Sequence, residues 1–293
     1  MKTQIFASIL LLVSSASFGS AWGTLGHNTV AYIATNLVSK ATQAYFQTLL
    51  NDTSSDYLLH VATWADSYRY TVEGKFSSPF HYIDAIDSPP SSCSVDLARD
   101  CGPQGCIVSA LSNYTTRIQD ETLSQAERAI AAKFIVHFTG DIHQPLHVEN
   151  LKVGGNGISV LFDNKTTNLH SAWDTAILEQ LIGGYTPALA LSWAMTLRKS
   201  ILHGKYHQAA SHEWLTTTSL REPTNTALSW AQDTNKFVCS TVMPMGEAAV
   251  KGMELNGTYY DSAIPVVEMQ IAKAGYRLAA WLNLIATGND GHL

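Results

Sequence analysis

The stretch SQAERAIAAKFIVHFTGDIHQPLH, residues 124–147, decides the fold. Ala129, Ile130, Phe134, Ile135 and Phe138 recur at the three-and-four spacing of one helical face, so the segment reads as a long helix and not a strand. Ser124 and Glu127 form a capping box at its start, and Pro145 stops it. His137 and Asp141 stand four residues apart on the same helix, so both project from one face one turn apart. Polar groups in so apolar a run need partners, because burying them bare costs about 2–7 kcal/mol.

Outward from this segment, helical periodicity continues. Val30, Ile33, Ala34, Leu37 and Val38 mark one face of a first helix, and further helices are legible at 41–50, 106–119, 171–182, 187–203, 224–239 and 264–286. Thr186-Pro187 is a clear start signal. Trp193 and Met195 read as core. Strand-like alternation is scarce: Ile158 to Phe162, after the Gly154-Gly155-Asn156-Gly157 turn, is the best candidate for a short hairpin arm. The class is all-α, and with no linker, repeat or low-complexity run the expected organisation is one compact multi-helix catalytic domain over residues 22–293.

Residues 1–21 carry Lys2, an apolar run from Ile5 to Val13 and a small-residue end at Gly19-Ser20-Ala21, the pattern of a secretory signal whose removal would leave Trp22 first. That run is too short to span a bilayer, and no later stretch reaches the ~20 apolar residues a membrane helix needs. A soluble, secreted, extracellular protein without membrane attachment is expected. The chain has 24 Asp and Glu against 18 Lys and Arg, a net charge of −6, which argues against nucleic-acid binding through a basic patch. A site that handles phosphate would have to draw positive charge from elsewhere, and bound metal is the obvious source.

Cys93, Cys101, Cys106 and Cys239 form an even set in an exported chain, so disulfides are favoured over thiols or ligands. Three pairings are possible. The turn-rich loop Cys101-Gly-Pro-Gln-Gly-Cys106 favours local closure, which leaves Cys93 with Cys239. Sequons at Asn51, Asn113, Asn164 and Asn256 fit glycosylation in a eukaryotic secretory pathway, with some of the four expected to stay empty.

Asp and His recur around the central helix. His170 and Asp174 repeat the four-residue spacing of His137 and Asp141, His147 follows just past the helix end, and Asp66 closes a predicted helix in Trp64-Ala65-Asp66. His81 and His27 complete the set. Imidazole nitrogen with carboxylate oxygen suits a borderline metal such as zinc. One such pair is more often a surface hydrogen bond, but two pairs with His147 beside them favour metal. His60, His203, His207, His212 and His292 read as surface positions, and His143, pointing off the His137–Asp141 face, as a supporting or structural residue.

Five motifs then carry a resemblance: Trp22-Gly-Thr-Leu-Gly-His27, Trp64-Ala-Asp66, Phe80-His81-Tyr-Ile-Asp84, the His137-to-His147 segment, and Asn168-Leu-His170-Ser-Ala-Trp-Asp174. In this order and spacing, from Trp22 to about Ala286, the chain resembles the fungal secreted single-strand nucleases. These are the trinuclear-zinc type I nucleases, distantly akin to bacterial zinc phospholipases C.

The resemblance implies three Zn²⁺. Asp66, His81, His137 and Asp141 would hold the first, and Asp141 would bridge to a second held by His27 and by the amino nitrogen and carbonyl oxygen of Trp22. His147, His170 and Asp174 would hold the third. Three divalent ions against three carboxylates would leave a positive cleft in an acidic protein. The implied reaction is in-line attack of an activated water on phosphorus, with Asp66 orienting the water and Arg69 contacting the phosphoryl group. Products would carry a 5′-phosphate and a free 3′-hydroxyl.

Tyr82, where the family usually has Phe, would stack on a base, and Asp84 would accept from its exocyclic amine. Expected substrates are single-stranded RNA and DNA and 3′-mononucleotides, and a monomer is expected. A zinc phospholipase C and a non-catalytic zinc-binding module are the alternatives that the metal set alone leaves open.

Overall fold

A computed structural model describes residues 22–289; residues 1–21, where a secretory signal is expected, and His292 lie outside the described residues. The principal helices are α1 (Thr24–Thr35), α2 (Lys40–Leu50), α3 (Trp64–Tyr68), α4 (Ile107–Gln119), α5 (Gln125–Asp141), α6 (Ile177–Ile182), α7 (Pro187–His203), α8 (Pro223–Phe237) and α9 (Thr258–Thr287). Among the described residues the chain is all-α apart from one hairpin, β1 (Ser159–Phe162) antiparallel to β2 (Lys165–Asn168). Asp163 and Asn164 both take positive φ in its two-residue turn, as a tight hairpin of this hand requires.

The decisive segment forms α5, with Ser124 and Glu127 each capping the other's backbone N–H. Its second half is buried on all sides, because α4 covers one flank while α1, α3 and α9 close the others. α1 is clamped between α7 and α9. A close approach falls at Gly275 of α9, where an added Cβ would stand 2.5 Å from the Cβ of the fully buried Ile33. Only glycine lets the two backbones meet there, and full burial of a side chain such as Ile33 contributes about 1.5–3 kcal/mol. Trp22, Trp173, Trp230 and Trp281 are also fully buried.

Several local expectations need correction. Leu37 and Val38 lie beyond the end of α1, although both still pack on the core. Asp66 does not close a helix: a break at Thr63 separates Leu59–Ala62 from α3, and Asp66 is the third residue of α3. The 171–182 helix is not uniform, for a π-turn spans Ala172–Ala176 between Leu169–Ser171 and α6. α9 begins six residues before 264, on a stretch too exposed to show an apolar face. Trp193 is core, but Met195 is 42% exposed, because residues two apart on a helix point to different sides.

Disulfides join Cys93 to Cys239 and Cys101 to Cys106. Among the described residues no helix is long and apolar enough to cross a membrane.

Candidate metal centre

Three buried groups of candidate ligands converge: His27 with His137 and Asp141, Asp66 with His81 and His137, and His147 with His170 and Asp174. Asp141, at the last position of α5, is the node. Its Oδ2 lies 2.9 Å from His81 Nδ1 and 3.3 Å from His137 Nε2, and its Oδ1 lies 3.2 Å from His27 Nε2. Asp66 Oδ1 stands 3.5 Å from His137 Nε2 and 3.9 Å from His81 Nδ1. His27 reaches the cluster from α1 because residue 140 is glycine: a Cβ there would press to 2.8 Å from the His27 ring. The His27 and His137 rings stack at 4.0 Å.

The backbone sets the tautomers. His137, His147 and His170 each donate Nδ1–H to a carbonyl, of Ala62, His81 and Gly154 respectively. Each Nε2 is thereby left with its lone pair toward the cluster, the arrangement metal-binding imidazoles adopt. His147 Nε2 and His170 Nε2 stand 3.1 Å apart. Two bare lone pairs cannot rest so close, so a proton or a cation must lie between them. Asp174 completes this group from the π-turn, its Oδ2 3.2 Å from His170 Nε2, and π-turns of this kind are frequent at functional sites.

Whether the residues fit a metal can be judged from the polar atoms themselves. His27 Nε2, His137 Nε2, Asp141 Oδ1 and Asp174 Oδ2 are buried and make no hydrogen bond. Such atoms are rare, and here they converge. The titration behaviour points the same way. Burial disfavours charge on His137, yet Asp141 and Asp66 outweigh it and raise its pKa to about 10. Burial likewise opposes charge on His170, and Asp174 more than offsets it. His81, by contrast, is pushed down to about 4, chiefly by burial. The neighbouring carboxylates thus favour positive charge on His137 and His170 against the opposition of burial; a positive charge is wanted where the ligand atoms meet, and the donor set fits zinc.

Trp22 lies buried beside the centre, and the next residue, Gly23, donates its N–H to the Asp174 carbonyl at 2.7 Å. Arg69 follows α3 directly, its Nη2 3.6 Å from Asp66 Oδ1 and its guanidinium over the Tyr70 ring. The charge of Arg69 bears weakly on His81, Tyr82 and His170. Tyr82, 39% exposed, and the half-buried Asp84 line a cavity of about 230 Å³ whose far wall includes His147 and His170. Burial, then the neighbouring Asp100, pushes the Asp84 carboxyl up.

His60, His203, His207 and His212 lie at the surface, away from the centre. Two contributors escaped the sequence reading. Gln144 donates its amide to Asp174 Oδ1 while its own oxygen accepts from Leu146 N, and Gly140 makes room for His27. Gln144 was findable as a buried amide inside an apolar motif; Gly140 was not, since its partner comes from a helix far away in the chain. Val153 and Asn156, which share the cavity with Tyr82, sit in a glycine-rich loop with no periodicity to flag them.

A helical scaffold that gathers buried His and Asp groups beside a cavity is built as a metal-dependent hydrolase. Residues 22–287 match the S1/P1 nuclease family, and the chain belongs to that family. It is 50% identical over 283 residues to Nuclease S1 of Aspergillus oryzae, covering 95% of this chain and 98% of that one. It is also 50% identical over 264 residues to Nuclease P1 of Penicillium citrinum, with 90% and 97% covered. Endonuclease 4 of Arabidopsis thaliana is 30% identical over 302 residues, with 99% and 97% covered.

Proposed function

We propose that this nuclease is a secreted, zinc-dependent endonuclease that cleaves single-stranded RNA and DNA to 5′-phosphate products and also releases phosphate from 3′-mononucleotides. One observation carries the reading: His147 and His170, from one of three buried groups of candidate ligands, line a cavity that offers an aromatic ring, Tyr82, and a carboxylate, Asp84, to one base. Zinc bound there would supply positive charge to a phosphate and lower the pKa of a water molecule. The groups around Asp141 are assigned two ions and His147, His170 and Asp174 a third, with the Trp22 backbone as a further ligand once signal removal frees its amine.

Asp66 orients the attacking water, and the Arg69 guanidinium holds the phosphoryl oxygens as charge builds on them. Tyr82 stacks on the base, a contact worth about 1–3 kcal/mol. Asp84 accepts from the exocyclic amine. A duplex hides both the face and the edge of its bases, which gives the pocket its preference for single strands. The exposed Asn51, Asn113 and Asn164 are the sequons best placed for glycosylation, whereas Asn256 already spends its amide on Asp163 and Gln180.

The test is a direct competition of chemistries. Phosphate release from 3′-AMP and faster cleavage of single strands than of duplex support the reading. Phosphocholine release from lecithin without either would replace it by a phospholipase C.

A further inference from the structure

Tyr82 and Asp84 line two cavities. Besides the one shared with His147 and His170, they border a second of about 240 Å³, walled by Asp100, Gly102, Gln104 and Gly105. This volume is below the ~300–1,000 Å³ of a drug-sized site and suits a single ring system. Its far wall is the loop closed by the Cys101–Cys106 disulfide. That loop is held in place: Ile107 N donates to the Tyr82 carbonyl at 2.9 Å, and Cys106 N donates to Ser109 Oγ. The Asp100 carboxylate is committed to the Ile86 and Asp96 amides and to Arg99. The Gln104 amide and the Asp84 carboxylate are left to set the chemistry of the cavity. A flat ring that stacks on Tyr82 and presents an amine edge meets that chemistry.

We propose that this second cavity binds the neighbouring base of the strand, on the 5′ side of the nucleotide seated between Tyr82 and the His147–His170 group. The inference rests on the nuclease reading above. Direction follows from position. The first cavity touches the candidate ligands and so takes the nucleoside whose 3′ oxygen carries the scissile phosphate, while the second touches none of them. The next nucleoside away from the reacting phosphate is the one on the 5′ side. The enzyme therefore grips two adjoining bases around one aromatic ring, and a longer 3′-phosphorylated substrate outcompetes a mononucleotide.

The probe is a diadenosine dinucleotide with a 3′-terminal phosphate and an uncleavable methylphosphonate between its nucleosides, compared with 3′-AMP in the same phosphate-release assay. The ratio of the two kcat/KM values is the readout. In the wild-type enzyme the ratio is about ten, the scale of one base–aromatic stack. Gly102→Trp, at a position where an added Cβ meets nothing within 4 Å, fills the cavity and brings the ratio close to one. Gln104→Ala, which changes no backbone, lowers it part of the way. A wild-type ratio near one, or one that both variants leave unchanged, overturns the second subsite while the nuclease reading stands. A wild-type enzyme that releases no phosphate from 3′-AMP removes that reading, and the subsite with it.

Discussion

The segment from His137 to His147 sends histidines into two buried polar regions that end differently. On one side His137 and Asp141 meet His27, Asp66 and His81, and several of the ligand atoms have no hydrogen bond. On the other side His143 is served within the protein. Its Nδ1–H donates to Thr139 O at 2.7 Å, its Nε2 accepts from Arg277 at 2.9 Å, and Gln270 donates to its carbonyl. Arg277 in turn donates to Trp214 O and lies 3.1 Å from Asp233, which Lys273 reaches at 2.8 Å. Burial, then Arg277, keeps His143 neutral, its pKa well below the ordinary value. His137 and His143, which lead into the two regions, are both fully buried. What separates them is whether the donors and acceptors close on each other, and only the region left open has chemistry to offer a ligand.

The sharpest way to break this contrast is Asp141→Asn. Asp141 faces three histidines, so the variant should lose metal from both groups that meet there and at least about 10²- to 10³-fold in kcat, the scale of removing one partner of transition-state charge. Asp174→Asn, which faces one group, should lose less. Equal metal loss and equal residual rates in the two variants would remove the node assignment.

The closed region should answer in stability instead. Arg277→Ala takes the donor from the buried His143 ring nitrogen and one of the two cations from Asp233, and should cost about 1–3 kcal/mol in denaturant unfolding, with metal content unchanged. A variant that unfolds normally but loses metal would show that the two regions are one. Gln144→Ala tests the seam between them: its amide holds Asp174, so metal affinity at the His147 group should fall about 10- to 100-fold with little change in unfolding.

The smallest effect is on acid stability. Asp233 is held below its ordinary pKa of 3.8, because Lys273 and Arg277 outweigh the burial that opposes its charge. Its contribution is complete above that value and lost as pH falls through the lower folded value. Asp233→Asn should therefore flatten the unfolding curve only below about pH 4, by less than the ~1.4 kcal/mol per pH unit one proton allows. Flattening near neutrality would point to another group.

Periodicity made α5 legible, and with it the pairs His137–Asp141 and His170–Asp174, because four residues are one turn. It could not bring His27 to Asp141, since that contact depends on Gly140 and on how α1 packs, and no local pattern records either; the family resemblance supplied it. Met195 was misplaced because helical composition was read without helical phase. The first turn of α9 was missed because exposed residues leave no apolar stripe. Gln144 and His143 are both buried polar side chains in one motif, and only the contacts across the fold show that one braces a candidate ligand while the other closes a structural network.

The central claim is that the open region holds metal and that cleavage depends on it. The direct measurement is elemental analysis of the purified protein, paired with digestion of a single-stranded substrate before and after chelation. The account predicts close to three zinc ions per chain, loss of cleavage on chelation and its return with added zinc. Full cleavage by protein shown to be free of metal would contradict it.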